Sequence, residues 1–247
     1  FTIISKGQGV IDKILPRKNV LYRPAIANVT QILIVMSLKS PDPSIILLDR
    51  LLVLAGAAEL KPLIVFNKVD LINGDDVLEQ ASIYKNIGYR VVLLSAKTKV
   101  GIEKVRNELI EEITVLAGPS GVGKSSLLNA VQPNLQLQTK EVSSKIGRGR
   151  HTTRHVQLLP VEDGGFVADS PGFSKLYLPD FLKREDLSYY FPEIWDFQGK
   201  CKFSTCLHRQ EPGCKVIEAV EKQFINKERY KNYNIFLEEV IAKERSH

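Results

Sequence analysis

The sequence has few of the residues that mark secreted or membrane proteins. Its 247 residues include three cysteines, one methionine and one tryptophan, and three cysteines are too few for a disulfide framework in a chain of this size. No apolar run reaches the roughly 18 residues needed to cross a bilayer, because Asp49 and Arg50 interrupt the longest candidate, Ile45 to Leu60. No signal peptide is recognisable. We therefore expect a soluble cytoplasmic protein without a membrane partner.

The composition also lacks a strong charge bias. Apolar residues make up 44% and charged residues 25%, which is ordinary for globular proteins and excludes wholesale disorder and fibrous repeats. The 34 lysines and arginines exceed the 28 acidic residues, giving a net charge of +6. This excess permits a polyanionic partner without requiring one.

Three zones differ in their patterns. Residues 1–24 contain short strand-like segments between glycines and prolines, which indicates part of a small β-domain. Residues 25–178 alternate apolar strands with helical patterns, which predicts a parallel α/β sheet. Residues 179–247 combine a cysteine–histidine cluster with helical apolar spacing, which predicts a small helical domain held by a metal. In the middle zone we expect strands at 31–37, 63–66, 91–94, 113–118 and 164–170, and helices at 47–60, 76–87, 102–112 and 125–131.

The strongest motif is G-x-x-x-x-G-K-S at residues 118–125. It follows a predicted strand and opens a predicted helix, where its glycines let backbone N–H groups surround phosphate oxygens. Lys124 would span the β- and γ-phosphates, and the Ser125 hydroxyl would coordinate Mg²⁺. A glycine-rich turn without a ligand is the alternative. The predicted phosphate-binding residues are Gly118, Pro119, Ser120, Gly121, Val122, Gly123, Lys124, Ser125 and Ser126.

A second motif, N-K-V-D, follows the strand at 63–66, and ligands of open α/β sheets bind at strand ends. The Asp70 carboxylate can accept hydrogen bonds from N1–H and the exocyclic amine of guanine, a pair that adenine does not offer. Asn67 would brace the loop, and the stem of Lys68 can lie over the base. Alone the motif is weak, and a polar helix start would explain it; beside a phosphate loop it indicates a guanine site.

A third segment follows the next predicted strand. In GTPases the equivalent loop offers a backbone N–H to guanine O6, so we expect it to complete the base site. These residues are Ser95, Ala96 and Lys97.

Two further segments fit the γ-phosphate side of a GTP site. Asp169 and Gly172 match D-x-x-G, in which the carboxylate holds Mg²⁺ through water and the glycine N–H contacts the γ-phosphate; a simple turn is the alternative. Residues 147–155 lie where a switch segment is expected, and we favour Thr153 over Thr152 as its Mg²⁺ ligand.

The catalytic group is less evident. Phe173 stands where many GTPases place a water-orienting glutamine, and a phenyl ring cannot orient water. His151 is the nearest candidate for this role. A solvated histidine among basic neighbours is the alternative.

The order of the motifs differs from that of ordinary GTPases, which begin with the phosphate loop. Here the base-reading motifs precede it, which indicates a circular permutation. The switch segments then lead directly into the C-terminal zone, to which the nucleotide state could be transmitted.

The C-terminal cluster has the spacing C-x₄-C-x-H-x₅-C and contains every cysteine of the chain. Three thiolates and one imidazole form a closed tetrahedral set typical of structural Zn²⁺. Buried or redox-active thiols are the alternative. The predicted ligands are Cys201, Cys206, His208 and Cys214.

With these motifs the chain resembles the family of ribosome small subunit-dependent GTPase A, bacterial circularly permuted GTPases with an N-terminal OB fold and a C-terminal zinc domain. The resemblance covers essentially the whole chain. It implies a partial OB-fold domain at 1–24, a circularly permuted GTPase domain at 25–178 and a zinc-binding helical domain at 179–247. The segments that carry it are NKVD (67–70), GPSGVGKSSLLNA (118–130), GRGRHTTRH (147–155), DSPGF (169–173) and CKFSTCLHRQEPGC (201–214).

The resemblance also implies a function. Such proteins bind GTP and GDP, act late in assembly of the small ribosomal subunit, contact its rRNA, are stimulated by it and leave after GTP hydrolysis. We expect a monomer of this kind. Two alternatives remain: an RNA-binding scaffold whose nucleotide is structural, which Phe173 keeps open, and a permuted GTPase of the large subunit, against which the OB-like start and the zinc cluster argue.

Overall fold

The computed structural model describes residues 2–5, 8–10, 13, 16–22, 25–72, 76–132, 157–162, 164–169 and 177–246. Its strands are β1 (Thr2–Ser5), β2 (Gln8–Val10), β3 (Val20–Tyr22), β4 (Ala25–Ala27), β5 (Gln31–Ser37), β6 (Lys61–Asn67), β7 (Arg90–Leu93), β8 (Ile113–Ala117), β9 (Gln157–Pro160) and β10 (Phe166–Asp169). Its helices are α1 (Ile45–Ala57), α2 (Asp76–Asn86), α3 (Ile102–Leu109), α4 (Lys124–Val131), α5 (Pro192–Trp195), α6 (Lys215–Glu221) and α7 (Lys227–Arg245), and 3₁₀ turns lie at Val69–Leu71 and Leu187–Tyr190. No helix within these ranges is both long and apolar enough to span a bilayer.

A six-stranded sheet forms the centre, in the order β7-β6-β5-β8-β10-β9. Its strands are parallel except for the pairing of β9 with β10. Every residue of β5 is buried, as expected of a continuous aliphatic strand covered on both faces. The predicted parallel α/β fold is therefore confirmed.

Alternate residues of the central strand build two separate cores, because successive side chains point to opposite faces. Ile32 and Ile34 pack with α1 on one face. Leu33 and Val35 pack with α3 and α4 on the other. Helices packed on both faces of the sheet fix the carboxyl ends of β5, β6 and β8 at one edge. There Ser37 is in register with Asn67 and Ile34 with Ala117.

The N-terminal residues form two small antiparallel pairs, β1 with β2 and β3 with β4. Both are separate from the six-stranded sheet. The short antiparallel strands agree with the expected end of a small β-domain. The domain limits at residues 24 and 178 stay predictions.

The C-terminal helices enclose a third core, which includes Phe191, Phe236 and Val53 of α1. The helical spacing predicted within residues 179–247 corresponds at its C-terminal end to two helices, α6 and α7. The break lies where Gln223 adopts a positive φ of 63°, and a new helix begins at Asn226, whose side chain accepts hydrogen bonds from two backbone N–H groups of α7, as an N-cap does.

A buried ionic network joins α7 to α1. The side chain of Arg229 is 1% exposed and donates to Asp49 of α1 and, at 2.5 and 3.1 Å, to both carboxylate oxygens of Glu193. The Asp49 carboxylate also accepts from Tyr84 of α2 at 2.8 Å and from Asn232 of α7 at 2.7 Å. One cation thus compensates two buried carboxylates.

We expect Arg229→Met to lower the free energy of unfolding by about 3–5 kcal/mol, because it leaves two buried carboxylates uncompensated. The matched change Lys231→Met, on the exposed side of the same helix, is expected to stay within about 0.5 kcal/mol of the parent. Urea unfolding followed by the emission of Trp195 measures both. Equal stability of the two variants would contradict the role given to Arg229.

Candidate nucleotide-binding site and metal centre

The phosphate-loop motif lies between β8 and α4, at the carboxyl edge of the sheet. Its conformation depends on glycine at two points. A Cβ at Gly118, where φ is 133°, would lie 2.0 Å from the carbonyl oxygen of Val35, and a Cβ at Gly123, where φ is 95°, would lie 2.4 Å from the amide nitrogen of Asn67. Both positions therefore require glycine, because the ends of neighbouring strands approach the loop too closely there for any side chain.

Lys124 spans this loop. It is the first residue of α4, and its ammonium donates to the carbonyl oxygens of Gly118 at 2.7 Å and Pro119 at 2.8 Å. Ser125 is half-buried in the same first turn and Ser126 is exposed. A lysine cation and the positive end of a helix dipole thus meet at one place, which favours an anion there.

Asn67 joins three loops through one side-chain amide. It ends β6 and is 2% exposed. Its nitrogen donates to the carbonyl oxygen of Val122 in the phosphate loop at 2.8 Å, and its oxygen accepts from the backbone N–H of Lys68 at 2.8 Å and of Ala96 at 3.0 Å. The motifs at 67–70, 95–97 and 118–125 are consequently held together.

The base-reading motif meets the 95–97 segment directly. Asp70 lies exposed in the 3₁₀ turn after β6, and its Oδ1 accepts from the hydroxyl of the fully buried Ser95. The same hydroxyl accepts from the backbone N–H of Thr98 at 3.1 Å, and Lys97 is exposed beside it. One carboxylate is thus oriented at the surface by a buried hydroxyl.

Lys68 forms a connection that the sequence did not indicate. Its ammonium donates to the carbonyl oxygen of Gly121 at 2.7 Å and to that of Ser40. Ser40 belongs to the loop after β5, which sequence analysis left without a role. The position of this loop after a buried parallel strand could have suggested a role, because the ends of such strands border the ligand crevice.

The remaining predicted residues are described only in part. Asp169 ends β10, which pairs with β8 at the same edge of the sheet, but its side chain lies outside the described part. His151, Thr152, Thr153, Gly172 and Phe173 lie outside the described residues as well.

The four predicted metal ligands converge near the start of α6. The ligand atoms of Cys201, Cys206, His208 and Cys214 all lie within 4.8 Å of one another. Nδ1 of His208 is 3.5 Å from the sulfurs of Cys201 and Cys214, which are 3.9 Å apart. Bonds of about 2.3 Å to sulfur and about 2.0 Å to nitrogen in a tetrahedron require separations of about 3.8 and 3.5 Å. The donor set therefore fits a tetrahedral metal ion.

The surroundings of these ligands suit a bound cation. The backbone N–H of Lys215 donates to the Cys201 sulfur at 3.3 Å. Burial lowers the pKa of the His208 imidazole, which keeps it in the neutral form that metals bind, and burial raises the pKa of the Cys206 thiol to about 12. Such a thiol ionises at neutral pH only when a metal replaces its proton.

Neighbouring side chains hold the ligand loop in place. The Glu211 carboxylate accepts from the backbone N–H groups of Leu207 and Arg209 at 2.8 and 2.7 Å. Tyr230 and Tyr233 of α7 donate to the carbonyl oxygens of His208 and Leu207 at 2.8 and 3.0 Å. The loop is thereby anchored to the same helix that carries Arg229.

Comparison with known proteins gives a consistent result. The profile of the RsgA GTPase family matches residues 14–179. A protein of Moorella thermoacetica named "Small ribosomal subunit biogenesis GTPase RsgA" is 51% identical over 243 residues, covering 98% of this chain and 83% of its own length. A protein of the same name from Carboxydothermus hydrogenoformans is 49% identical over 244 residues, covering 99% and 83%.

Solved structures agree in sequence and in shape. The crystal structure of YjeQ from Thermotoga maritima superposes with a TM-score of 0.81 at 43% identity, over 95% of this chain and 80% of that one. That of YloQ, described as a circularly permuted GTPase, superposes with a TM-score of 0.78 at 39% identity, over 96% and 78%.

The permutation is visible in the sheet itself, because β6 with its base-reading motif precedes β8 and the phosphate loop in the chain while lying two strands away in space. The sequence resemblance, the sheet order and the comparisons lead to one conclusion. This chain belongs to the RsgA GTPase family.

Proposed function

We propose that this GTPase hydrolyses GTP in a Mg²⁺-dependent reaction that serves as a switch in the maturation of the small ribosomal subunit. The observation that carries the proposal is the side-chain amide of Asn67, which joins the base-reading motif to the phosphate loop. A guanine nucleotide has its base and its phosphates at opposite ends. A site that fixes both loops against each other selects that molecule from other phosphates.

Each end of the nucleotide has its own residues in this proposal. The exposed Asp70 carboxylate, oriented by Ser95, accepts from the guanine edge. The phosphate loop and the Lys124 ammonium bind the phosphates after Lys124 exchanges its two carbonyl partners for phosphate oxygens. Electrostatic stabilisation of this kind supplies most of the acceleration in phosphoryl transfer.

The magnesium side and the catalytic group complete the proposal. Ser125, Thr153 and, through water, Asp169 would hold a Mg²⁺ ion, which would neutralise charge on the phosphates. Gly172 contacts the γ-phosphate, and His151 orients the attacking water in place of the glutamine that Phe173 replaces. These roles come from the motifs.

The cellular role follows from the relatives, whose names assign them to biogenesis of the small ribosomal subunit. The chain would act in the cytoplasm as a monomer that binds the subunit and its rRNA and leaves after hydrolysis. Its net charge of +6 suits contact with RNA. The packing of α7 on α1 gives the nucleotide-binding part a direct contact with the C-terminal part.

The first test is GTP turnover with and without purified small ribosomal subunits. We expect strong stimulation by small subunits and none by large subunits, because only the correct partner completes the catalytic site. Lys124→Ala should reduce the stimulated rate by about a hundredfold or more, through loss of a charge on the phosphates. Lys104→Ala, an exposed lysine on α3, is the matched control.

Two outcomes would contradict the switch. If small subunits leave turnover unchanged and Lys124→Ala binds them equally in all nucleotide states, the scaffold alternative holds. If only large subunits stimulate turnover, the assignment of GTP hydrolysis holds but the assignment of the small subunit as partner fails.

Asp70→Asn tests the base reader. The asparagine keeps the shape and the Oδ1 that accepts from Ser95, but it replaces an acceptor at the guanine edge with a donor. We expect affinity for GTP to fall by about a hundredfold and xanthosine triphosphate to become the better ligand. Binding of fluorescent nucleotides measures both, and Glu79→Gln, an exposed residue of α2, serves as the control. Unchanged GTP affinity would remove Asp70 from the site.

The metal of the C-terminal cluster is, we propose, one structural Zn²⁺. Three thiolates and an imidazole match the preference of zinc, and four protein ligands leave no open position for chemistry. The ion would connect the loop of residues 201–208 to the start of α6. It would thereby stabilise the surface that faces α7.

Elemental analysis of the purified protein should give one zinc per chain. Cys206→Ser is expected to lose the metal and to unfold the region around residues 195–215, because binding and folding of such loops are coupled. Ser204→Ala, in the same loop, should retain it. GTP affinity should survive in both variants; its loss together with the zinc would show that the two parts do not fold separately.

A further inference from the structure

An exposed aromatic surface lies where the C-terminal part meets the nucleotide-binding part. It consists of Phe181, Tyr189, Tyr190 and Trp195, which we call the aromatic patch. Phe181, Tyr189 and Trp195 are 66%, 61% and 41% exposed. Neither the nucleotide site nor the metal centre includes any of these residues, and aromatic side chains exposed together mark interaction sites more often than isolated ones do.

The patch is ordered before any partner binds. The ring of Tyr189 packs edge to face against Tyr190 at 5.4 Å and against Trp195 at 5.3 Å. The ring of Tyr190 lies so close to α1 that a Cβ at Gly56 would be 2.7 Å from it. Rigid aromatic rings bind with little loss of side-chain entropy, which is why they dominate the energetics of protein interfaces.

Two grooves flank these rings. One, of about 460 Å³, is lined by Phe181, Leu182, Tyr189, Tyr190 and Trp195 together with Glu185, Asp186 and Gln198. The other, of about 320 Å³, lies at the junction with α1. Its lining includes Gly56 and Asp196 and shares Tyr189, Tyr190 and Trp195 with the first groove. The grooves share their aromatic wall, so a single extended segment could occupy both.

The charge of the lining identifies the partner's chemistry. Glu185, Asp186 and Asp196 contribute carboxylates, whereas neither lysine nor arginine is present among the described residues that line the two grooves. A third groove, between the metal loop and α7, differs by including Arg209 and Lys231. Arg184, which lines neither groove, is 3.8 Å from the Glu185 carboxylate, whereas no ion pair to Asp186 or Asp196 is present among the described residues. In a chain with a net charge of +6, these two carboxylates give the aromatic patch a local negative charge.

This distribution disfavours RNA at the patch. Single-stranded RNA binds where aromatic rings lie beside cationic side chains that accompany the phosphates, and here carboxylates occupy those positions. An arginine side chain satisfies both features, because its guanidinium stacks on aromatic faces and pairs with carboxylates. Aliphatic neighbours of such an arginine would contact the apolar parts of the grooves.

We propose that the aromatic patch is a docking site for a positively charged protein segment, in which an arginine stacks on Tyr189 or Trp195 and pairs with Asp186 or Asp196. This contact is distinct from GTP hydrolysis and from contact with rRNA. It would give the protein a second, protein-directed point of attachment beside the junction of its two parts.

Trp195 allows a direct test because it is the sole tryptophan of the chain. The probe is a twelve-residue peptide of arginine, leucine and serine without tryptophan, titrated while the emission of Trp195 is recorded. We expect a saturable change that weakens as salt is raised, since the paired charges are at the surface. The same peptide with citrulline in place of arginine keeps the shape without the charge and is expected to give no saturable change.

Variants then locate the contact. Asp186→Asn combined with Asp196→Asn, and separately Tyr189→Ala, should each weaken peptide binding by about tenfold. Tyr177→Ala and Glu228→Gln change an exposed tyrosine and an exposed carboxylate outside both grooves and should leave the binding unchanged. Metal content, measured on the same samples, confirms that the C-terminal part of each variant is folded. Unchanged nucleotide affinity keeps the result independent of the proposed GTPase switch.

Three outcomes would overturn the proposal. Absence of a saturable response to the arginine peptide would show that the patch does not bind cationic segments. A response to oligouridylate that is lost in Tyr189→Ala would make it an RNA surface. A change in emission with protein concentration alone, accompanied by dimers in sedimentation, would assign the patch to a second copy of the chain.

Discussion

The side-chain amide of Asn67 is the interaction on which the nucleotide site depends. Its nitrogen and its oxygen bind different loops, so a single residue fixes the base-reading turn, the 95–97 segment and the phosphate loop relative to one another. An amide is suited to this position because it donates and accepts at once, and a buried group that lost either partner would carry the cost of desolvation. The sheet places the strand ends near each other, and Asn67 converts that proximity into a defined geometry.

The nucleotide-binding part and the C-terminal part are also joined by buried polar side chains, but here the contacts are ion pairs and not the bonds of an amide. α1 packs on the sheet with Leu48 and Leu51 and presents Asp49 and Arg50 to α7, where they meet Arg229 and Glu239. The same helix thus supports the sheet on one side and packs against the C-terminal part on the other. The aromatic patch borders this helix at Gly56, so α1 contacts the sheet, α7 and the aromatic patch.

Much of this structure could be predicted from sequence, and the failures have physical causes. The strand predicted at 31–37 has the same bounds as β5, because a short continuous aliphatic run is typical of a strand buried on both faces of a parallel sheet. The convergence of the three cysteines and His208 was predicted from their spacing. The role of Asp49 was not, because a charged residue in an apolar run indicates only an interruption. Its partner Arg229 lies 180 residues away, and periodicity carries no information on such pairings.

Separation along the chain adds little to the cost of bringing the contacts of this structure together. The cost of closing a loop grows only with the logarithm of its length. The bond between Asn67 and Val122 spans 55 residues and the one between Asp49 and Arg229 spans 180, a difference of about 1 kcal/mol in closure. One well-made buried hydrogen bond contributes about as much.

Because the strand neighbours in space determine which side chains meet, the sheet specifies the site whichever motif comes first along the chain. What the permutation changes is connectivity: the strand that ends at Asp169 precedes the C-terminal helices along the chain, while Arg229 joins those helices to α1.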